Sequence, residues 1–276
     1  MRPSSCRAVA QVLGIAVDAV DMPRSLNMID SLLRSHQSGY VCVAGVHGVM
    51  EAQRDPELFA AYHGSAMTLP DGMPLVWTGW LQRNRSMARV TGPDLMLQVF
   101  RDARFGHLRH FLYGGRPGVA EELQAALQAS FPAAQIVGTY TPPFRDLNED
   151  ELEALEMQLA AAEVDVLWIG ISCPRQELFM ARYADRLPVR LMFGVGAAFD
   201  YHTGRIRDCA PWIKRAGLQW VHRLVQDPVR LWKRYARNNP EFVFRITMQL
   251  LRDGLRGSWR ATSRIRQRYG AAASRE

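Results

Sequence analysis

A single acidic residue, Asp71, stands at a turn between a predicted strand and a predicted helix. It follows the apolar run 66–69 and precedes Gly72 and Pro74. The apolar run predicts a short buried strand, the glycine favours a tight turn, and the proline suits the first turn of a helix. Ligands of open α/β sheets bind at the carboxyl ends of the strands, so Asp71 is a candidate site residue. It could instead only cap the helix, as aspartate often does.

Three further strand-to-helix turns contain glycine. Bare backbone amides at such a turn, together with the helix dipole, can hold a phosphate. The candidate nucleotide-binding residues are Gly114 and Gly115 in the first turn, Gln176 and Glu177 in the second, and Gly196 and Asp200 in the third. Each turn alone could be structural, with a close-packed glycine, an acid at a helix start or a capping aspartate. Because all three turns and Asp71 fall on one predicted sheet edge, together they favour a nucleotide site.

The positive charge of the chain is concentrated in its last quarter. Residues 201–276 contain 17 Lys and Arg and five Asp and Glu, whereas residues 1–200 contain 17 and 22. Four tryptophans alternate with these basic residues: Trp212, Trp220, Trp232 and Trp259. This pattern suits helices at a membrane surface, with aromatic rings at headgroup depth and arginine on phosphates. Alternatively, the tryptophans pack on the sheet. Nucleic acid is a further candidate partner. The sequence contains no recognisable nucleic-acid-binding module, so we do not expect nucleic acid to bind.

Several motifs are missing from the sequence. There is no Asp-x-Asp pair, which is the usual metal clamp for a nucleotide diphosphate, and no P-loop. The four cysteines are scattered without C-x-x-C spacing, which indicates a reducing compartment and no zinc site. No run of about 18 apolar residues and no signal-peptide core occurs, so neither a membrane-spanning helix nor a leader is expected.

The elements that must position these residues alternate along the chain. Five or six apolar runs separated by amphipathic stretches predict an α/β fold, a doubly wound, Rossmann-like, mostly parallel sheet. Beyond residue 200, prolines open three predicted basic helices, 211–226, 228–237 and 240–256. We therefore predict a sheet domain at 1–204 and a helical basic appendage at 205–276. Residues 1–10 and 257–276 are expected to lie outside the ordered core.

Several blocks together resemble the WecG/TagA/CpsF family of bacterial glycosyltransferases. They are Pro70-Asp71-Gly72-Met73-Pro74-Leu75-Val76-Trp77, Arg89-Val90-Thr91-Gly92-Pro93-Asp94-Leu95-Met96, Gly114-Gly115, Pro174-x-Gln176-Glu177, Gly194-Val195-Gly196-Ala197-Ala198-Phe199-Asp200, and the run from Gly217 to Tyr235. The similarity extends over roughly residues 10–240. One departure is Gly45, where the family usually has asparagine close to the donor.

The resemblance implies an inverting, metal-independent transfer without cofactor. A UDP-sugar would donate to a polyprenyl-diphosphate-linked sugar for a cell-surface polysaccharide, namely exopolysaccharide, capsule, common antigen or teichoic acid. The enzyme would lie peripherally on the cytoplasmic face of the plasma membrane. It could act as a monomer or as a homo-oligomer. By motif position, Asp71 would be the general base, Tyr140 and Asp200 would lie at the uridine, Gln176 and Gly115 in the donor pocket, and Arg223, Arg230, Lys233 and Arg234 at the acceptor diphosphate.

Two other function classes remain at this point. A nicotinamide-dependent oxidoreductase could use the same sheet, but the dinucleotide fingerprint G-x-G-x-x-G is absent. A non-catalytic membrane adaptor could rest on the basic tail alone. Binding of UDP would argue against the adaptor, and binding of a nicotinamide cofactor would argue for the oxidoreductase.

Overall fold

A β-hairpin and a helix are the first elements of the computed structural model, which describes residues 7–35, 38–255 and 262–264. Strands β1 (Arg7–Val12) and β2 (Ile15–Asp18) pair antiparallel, and α1 (Met22–Arg34) follows. The side chain of Asp21 accepts a hydrogen bond from the backbone N–H of Arg24 at 2.9 Å, so it caps the helix.

The central sheet consists of six parallel strands. They are β3 (Gly39–Ala44), β4 (Met67–Pro70), β5 (Arg109–Gly114), β6 (Gln135–Tyr140), β7 (Val166–Gly170) and β8 (Leu191–Gly194). Their order across the sheet is β4-β3-β8-β7-β5-β6. The inner strands are covered on both faces, which explains why their sequences are continuous apolar runs.

The carboxyl ends of these strands lie along one edge of the sheet. The register pairs Ala44 with Pro70, Ile169 with Gly194 and Gly114 with Gly170. The turns that follow β4, β5, β7 and β8 therefore open on the same side. The prediction of a shared edge is confirmed.

Helices cover both faces of the sheet. In chain order they are α2 (Val46–Ala52), α3 (Pro56–Gly64), α4 (Met73–Leu81), α5 (Gly92–Arg101), α6 (Val119–Ser130), α7 (Glu149–Ala161), α8 (Arg175–Tyr183) and α9 (Ala198–His202), with a 3₁₀ turn at Ala103–Phe105. Buried residues of α2, α3, α7 and α8 form one apolar layer, and those of α1, α5, α6 and α9 form the other. The predicted α/β, doubly wound architecture is confirmed, with six strands in the sheet.

The basic appendage differs from the three predicted helices. It consists of α10 (Pro211–Arg215), α11 (Gln219–Gln226) and the 28-residue α12 (Pro228–Leu255). The first predicted helix is broken because Gly217 adopts a left-handed conformation, with φ of +72°. The second and third are one helix that runs through Pro240, an exposed residue, while Phe242 and Ile246 beyond it are buried against the sheet domain. Packing of this apolar face outweighs the helix-breaking tendency of proline.

Both ends of the chain also depart from expectation in part. Residues 7–10 belong to β1, and β9 (Thr262–Arg264) pairs antiparallel with it, so the expectation of disorder is wrong for these two segments. The rest of 257–276, with Trp259, and residues 1–6 lie outside the described residues. Phe242 and Ile246 share the apolar layer of the sheet, and the division into domains at 204/205 stays a prediction. Within the described part of the chain, no helix combines the length and apolarity needed to cross a bilayer.

Candidate active site

The backbone on both sides holds Asp71 at the carboxyl end of β4. Its N–H donates to the carbonyl of Ala44 at 2.9 Å, and the carbonyl of Pro70 accepts from the N–H of Val90 at 2.8 Å. The residue that caps α4 is Gly72, without any side-chain capping bond. The capping explanation for Asp71 is therefore wrong. Among the described residues, no side-chain hydrogen bond engages its carboxylate, which is free to act on a ligand.

Three arginines act on Asp71 electrostatically. Burial is the largest effect and raises the pKa of Asp71 above its ordinary value, while the positive charges of Arg89, Arg223 and Arg234 lower it. The negative charge of Asp94 adds a smaller upward effect. The result is a half-buried carboxyl group whose pKa is raised, and a raised pKa makes its carboxylate a stronger base.

Arg89 belongs to a chain of polar contacts that ties α11 to the sheet edge. Its guanidinium donates to the side-chain carbonyl of Gln219, and the amide of Gln219 donates to the hydroxyl of Tyr201 at 3.1 Å. The guanidinium of Arg223 lies 5.6 Å from the centre of the Tyr201 ring. These contacts bring the appendage over Asp71.

The Thr91-Gly92-Pro93-Asp94 block packs against the turn that follows β8. A Cβ atom on Gly92 would lie 2.5 Å from the carbonyl oxygen of Val195, so no larger residue fits without a shift of backbone. Thr91 caps α5 by accepting from the N–H of Asp94 at 3.2 Å. The block therefore places Arg89 and the β8 turn side by side.

The glycines at the carboxyl end of β5 serve close packing. A Cβ on Gly114 would lie 2.6 Å from the carbonyl oxygen of Gly170, and both Gly114 and Gly115 have left-handed φ values, +136° and +79°. The N–H of Gly115 donates to the same carbonyl at 3.1 Å. This amide is thus already used within the protein. Donor binding by Gly114 and Gly115 stays a prediction, and Gly118, exposed at the start of α6, is the open part of this turn.

Gln176 joins two of the predicted turns. Its side-chain oxygen accepts from the N–H of Gly196 at 3.1 Å, and its amide donates to the Glu177 carboxyl at 3.0 Å. Glu177 is completely buried, and its carboxyl group also interacts with the thiol of Cys173. Burial raises its pKa to about 7. These groups connect the turns after β7 and β8, and direct contact of Gln176, Glu177 or Gly196 with a donor stays a prediction.

Asp200 and Tyr140 lie at different places along the sheet edge. Asp200 is in the first turn of α9, whose capping residue is Ala197, so it is not a cap; its half-buried carboxylate makes no described hydrogen bond. Tyr140 ends β6 and stacks on Tyr113 with ring centres 5.6 Å apart. Three strand positions separate β8 from β6, about 14 Å at the usual spacing. A ligand that contacts both must extend along this edge.

The structure separates the four predicted acceptor residues into two pairs. Arg223 and Arg234 act on Asp71 and form no ion pair with any described residue. The buried Nε of Arg234 has no hydrogen-bond partner within the same residues, and burial lowers the pKa of this side chain. Arg230 is exposed and pairs with Asp227 at 2.6 Å. Lys233 is exposed, 5.9 Å from the centre of the Trp232 ring.

The chain can now be compared with known proteins. A sequence model of the Glycosyl transferase WecG/TagA/CpsF family matches residues 10–256. The chain belongs to this family. Two similar proteins are named N-acetylglucosaminyldiphosphoundecaprenol N-acetyl-beta-D-mannosaminyltransferase. The chain is 28% identical to that of Bacillus subtilis (strain 168) over 183 residues, covering 66% of this chain and 69% of the other. It is 26% identical to that of Bacillus spizizenii (strain ATCC 23059 / NRRL B-14472 / W23) over 202 residues, 73% and 76% of the two chains.

The sheet edge of this glycosyltransferase holds a carboxylate that acts electrostatically with two cations that have no described ion-pair partner. Asp71 can accept a proton, and Arg223 and Arg234 can face anions beside it. Within the described residues no three His, Cys, Asp or Glu side chains are grouped to hold a metal ion. Sequence reasoning did not assign a role to Arg89, Gln219 or Tyr201. Arg89 and Gln219 lie within the sequence blocks that resemble the family, and this position could have pointed to them. No feature of the sequence indicates a role for Tyr201.

Proposed function

We propose that this glycosyltransferase moves a sugar from a UDP-sugar to a sugar carried on polyprenyl diphosphate, with inversion and without a metal ion. The observation that carries the proposal is the free carboxylate of Asp71 beside Arg223 and Arg234 at the carboxyl edge of the sheet. A general base and cations that compensate diphosphate charge are the two groups that such a transfer needs.

Asp71 acts as the general base in this proposal. Its carboxylate accepts the proton of the acceptor hydroxyl while that oxygen attacks the anomeric carbon of the donor. The bond between the anomeric carbon and the UDP oxygen breaks, and its electron pair leaves with UDP. A single displacement inverts the configuration at that carbon. Positioned bases of this kind contribute ~10²–10⁴-fold to rate.

The leaving diphosphate requires positive charge. Helix N-termini at the sheet edge, among them the start of α6 at Gly118, and the arginines of the appendage can supply it. The absence of an Asp-x-Asp pair from the sequence agrees with a site that does not rely on a bound cation. Metal independence follows as a proposal that a chelator can test.

The acceptor side lies under the appendage. Arg223 and Arg234 are available for the acceptor diphosphate, since neither pairs with a described acid. Trp212 and Trp232 are 61% and 53% exposed, so these two do not pack on the sheet, as one alternative held. Exposed tryptophan and arginine suit a membrane interface. We therefore propose peripheral attachment to the cytoplasmic face of the plasma membrane, where a lipid-linked acceptor resides.

The relatives suggest which substrates to test first. Their names describe transfer of N-acetylmannosamine to N-acetylglucosaminyl-diphosphoundecaprenol. We propose the same classes here, a UDP-linked N-acetylhexosamine donor and an N-acetylhexosaminyl polyprenyl diphosphate acceptor. Gly45, which replaces the asparagine usual in the family, is a reason to include other donors. Family membership leaves no observation in favour of the oxidoreductase or the adaptor.

The test is a transfer assay with the purified full chain. A panel of UDP-sugars is incubated with a short-chain polyprenyl-diphosphate N-acetylglucosamine, with and without a chelator, and products are identified by mass spectrometry and by anomeric configuration. We expect transfer from one UDP-sugar, unaffected by chelator, with inverted configuration. Retention of configuration, or no transfer from any donor together with no thermal stabilisation by UDP, would contradict the proposal.

A further inference from the structure

A histidine at the carboxyl edge of the sheet connects three elements of the fold. His47 lies in the first turn of α2, directly after the carboxyl end of β3. Its Nδ1 is 2.9 Å from the amide nitrogen of Asn238 on α12. Its ring also makes a hydrogen bond with the backbone of Cys173, in the turn between β7 and α8. One imidazole thus contacts both the turn that leads to Gln176 and the helix that carries Arg234.

The partners determine the tautomer of this imidazole. Arg54 donates to the side-chain oxygen of Asn238 at 2.8 Å, and a guanidinium can only donate. The NH₂ group of Asn238 must then face His47, so Nδ1 accepts. A neutral imidazole that accepts at Nδ1 carries its proton on Nε2, which leaves Nε2–H to donate to the backbone of Cys173.

Asn238 and Arg234 lie one helical turn apart and therefore on the same face of α12. Asn238 is buried, and its amide group makes hydrogen bonds with both Arg54 and His47. Arg54 also pairs with Glu241, one further position along that face. The helix that carries Arg234, one of the three arginines that act on Asp71, is therefore connected to the sheet domain through Asn238.

We propose that His47 is a positioning residue for the transfer, a neutral Nε2–H imidazole that holds the Arg234-bearing helix against the donor-side turn. The proposal rests on the proposed function, since Arg234 is there a ligand of the acceptor diphosphate. His47 itself need not touch either substrate. Its contribution is to keep α12 and the turn at residues 173–176 in one arrangement.

Charged groups around His47 favour its neutral form. Burial and the positive charges of Arg234 and Arg54 lower its pKa to about 3, and the backbone of Cys173 opposes this only partly. Glu51 is 3.6 Å from Nδ1 but accepts a hydrogen bond from Arg54 at 3.0 Å. A proton on Nδ1 would face the NH₂ group of Asn238, donor against donor, and break the connection.

Two variants test this role in the transfer assay. His47→Phe keeps an aromatic ring at this position, somewhat larger than imidazole, and removes both hydrogen bonds, and Asn238→Ala removes the partner. We expect each to lower kcat/KM for the lipid-linked acceptor by ~10²-fold, as displaced catalytic groups do. Asn239→Ala is the matched control, because Asn239 makes no described side-chain hydrogen bond, and it should behave as wild type.

Asn238→Asp supplies a readout that loss of folding would not give. Aspartate still accepts from Arg54 but cannot donate to Nδ1, so His47 can donate both to the aspartate and to the backbone of Cys173 only when both ring nitrogens are protonated. We expect this variant to recover activity as the pH falls from 8 towards 6, a change absent from wild type. Wild-type activity in His47→Phe, or a wild-type pH profile in Asn238→Asp, would overturn the proposal.

A measurement on the wild-type protein separates this proposal from the proposed function. Nitrogen-15 NMR of labelled histidine should show His47 as the neutral Nε2–H tautomer, unchanged between pH 8 and pH 5. A His47 signal that titrates in this range, or an Nδ1–H tautomer, would overturn the proposed role of His47 even if sugar is transferred. Absence of transfer with the expected NMR signal would instead refute the proposed function alone.

Discussion

The side-chain oxygen of Gln176 accepts a hydrogen bond from the backbone N–H of Gly196 at 3.1 Å. Two turns that are distant in sequence are thereby fixed to each other at the carboxyl edge of the sheet. Gln176→Ala should leave the Gly196 N–H without its acceptor, at a cost of about 1–3 kcal/mol. We expect a lower free energy of unfolding by urea and a smaller rise of Tm with UDP. Gln158→Ala, at an exposed position of α7, is the control; equal behaviour of the two variants would contradict this role.

Glu177 makes the stability of the protein depend on pH. Burial raises its pKa from 4.5 to about 7, so between these values the native state binds a proton that the unfolded state releases. Its contribution to stability is complete below about 4.5 and is lost as the pH rises through 7, a change of about 3 kcal/mol. Glu177→Gln is neutral at every pH and should gain stability over wild type as the pH rises. Urea unfolding from pH 4.5 to 8 measures this, and parallel curves for the two proteins would contradict it.

Gly92 and Gly45 offer a matched pair of substitutions near the sheet edge. A Cβ at Gly92 would lie 2.5 Å from the Val195 carbonyl oxygen, whereas a Cβ at Gly45 meets no atom within 4 Å. Gly92→Ala should cost about 1–3 kcal/mol through overpacking against backbone, and Gly45→Ala should have little effect. Thermal unfolding of both variants tests the difference. Equal Tm values would show that the β8 turn yields at no cost.

Arg234 and Lys233 are neighbours on α12 with opposite surroundings. Arg234 acts on Asp71 and has no described ion-pair partner, while Lys233 is exposed beside Trp232. Arg234→Ala should raise KM for the lipid-linked acceptor at least tenfold, an effect of about 1.4 kcal/mol or more, because a charge-assisted contact is lost. Lys233→Ala should change the same KM less than twofold in detergent. A larger effect of Lys233→Ala than of Arg234→Ala would contradict the assignment.

The sequence predicts which residues lie at the carboxyl edge of the sheet, but it does not predict the contacts between them that depend on the order of the strands. Asp71 and the three glycine turns were placed on one edge because the strands are parallel, and the register confirms this. The hydrogen bonds of Gly115 and Gly196 depend on β7 lying between β5 and β8, and sequence order does not specify which strands are neighbours. The sequence also predicts a helix break before Pro240 that the structure does not have, again because contacts between distant segments are not visible in the local sequence. Local propensity favours a new helix there, while Phe242 and Ile246 pack only once the sheet exists.

The role of Asp71 is tested most directly by Asp71→Asn in the transfer assay. The amide keeps the shape of the side chain but cannot accept the acceptor proton as a carboxylate does. We expect kcat to fall by ~10²–10⁴-fold while stabilisation by UDP is retained. Asp185→Asn, an exposed position beyond the end of α8, should leave kcat unchanged. Wild-type turnover by Asp71→Asn would contradict the assignment of Asp71 as the base.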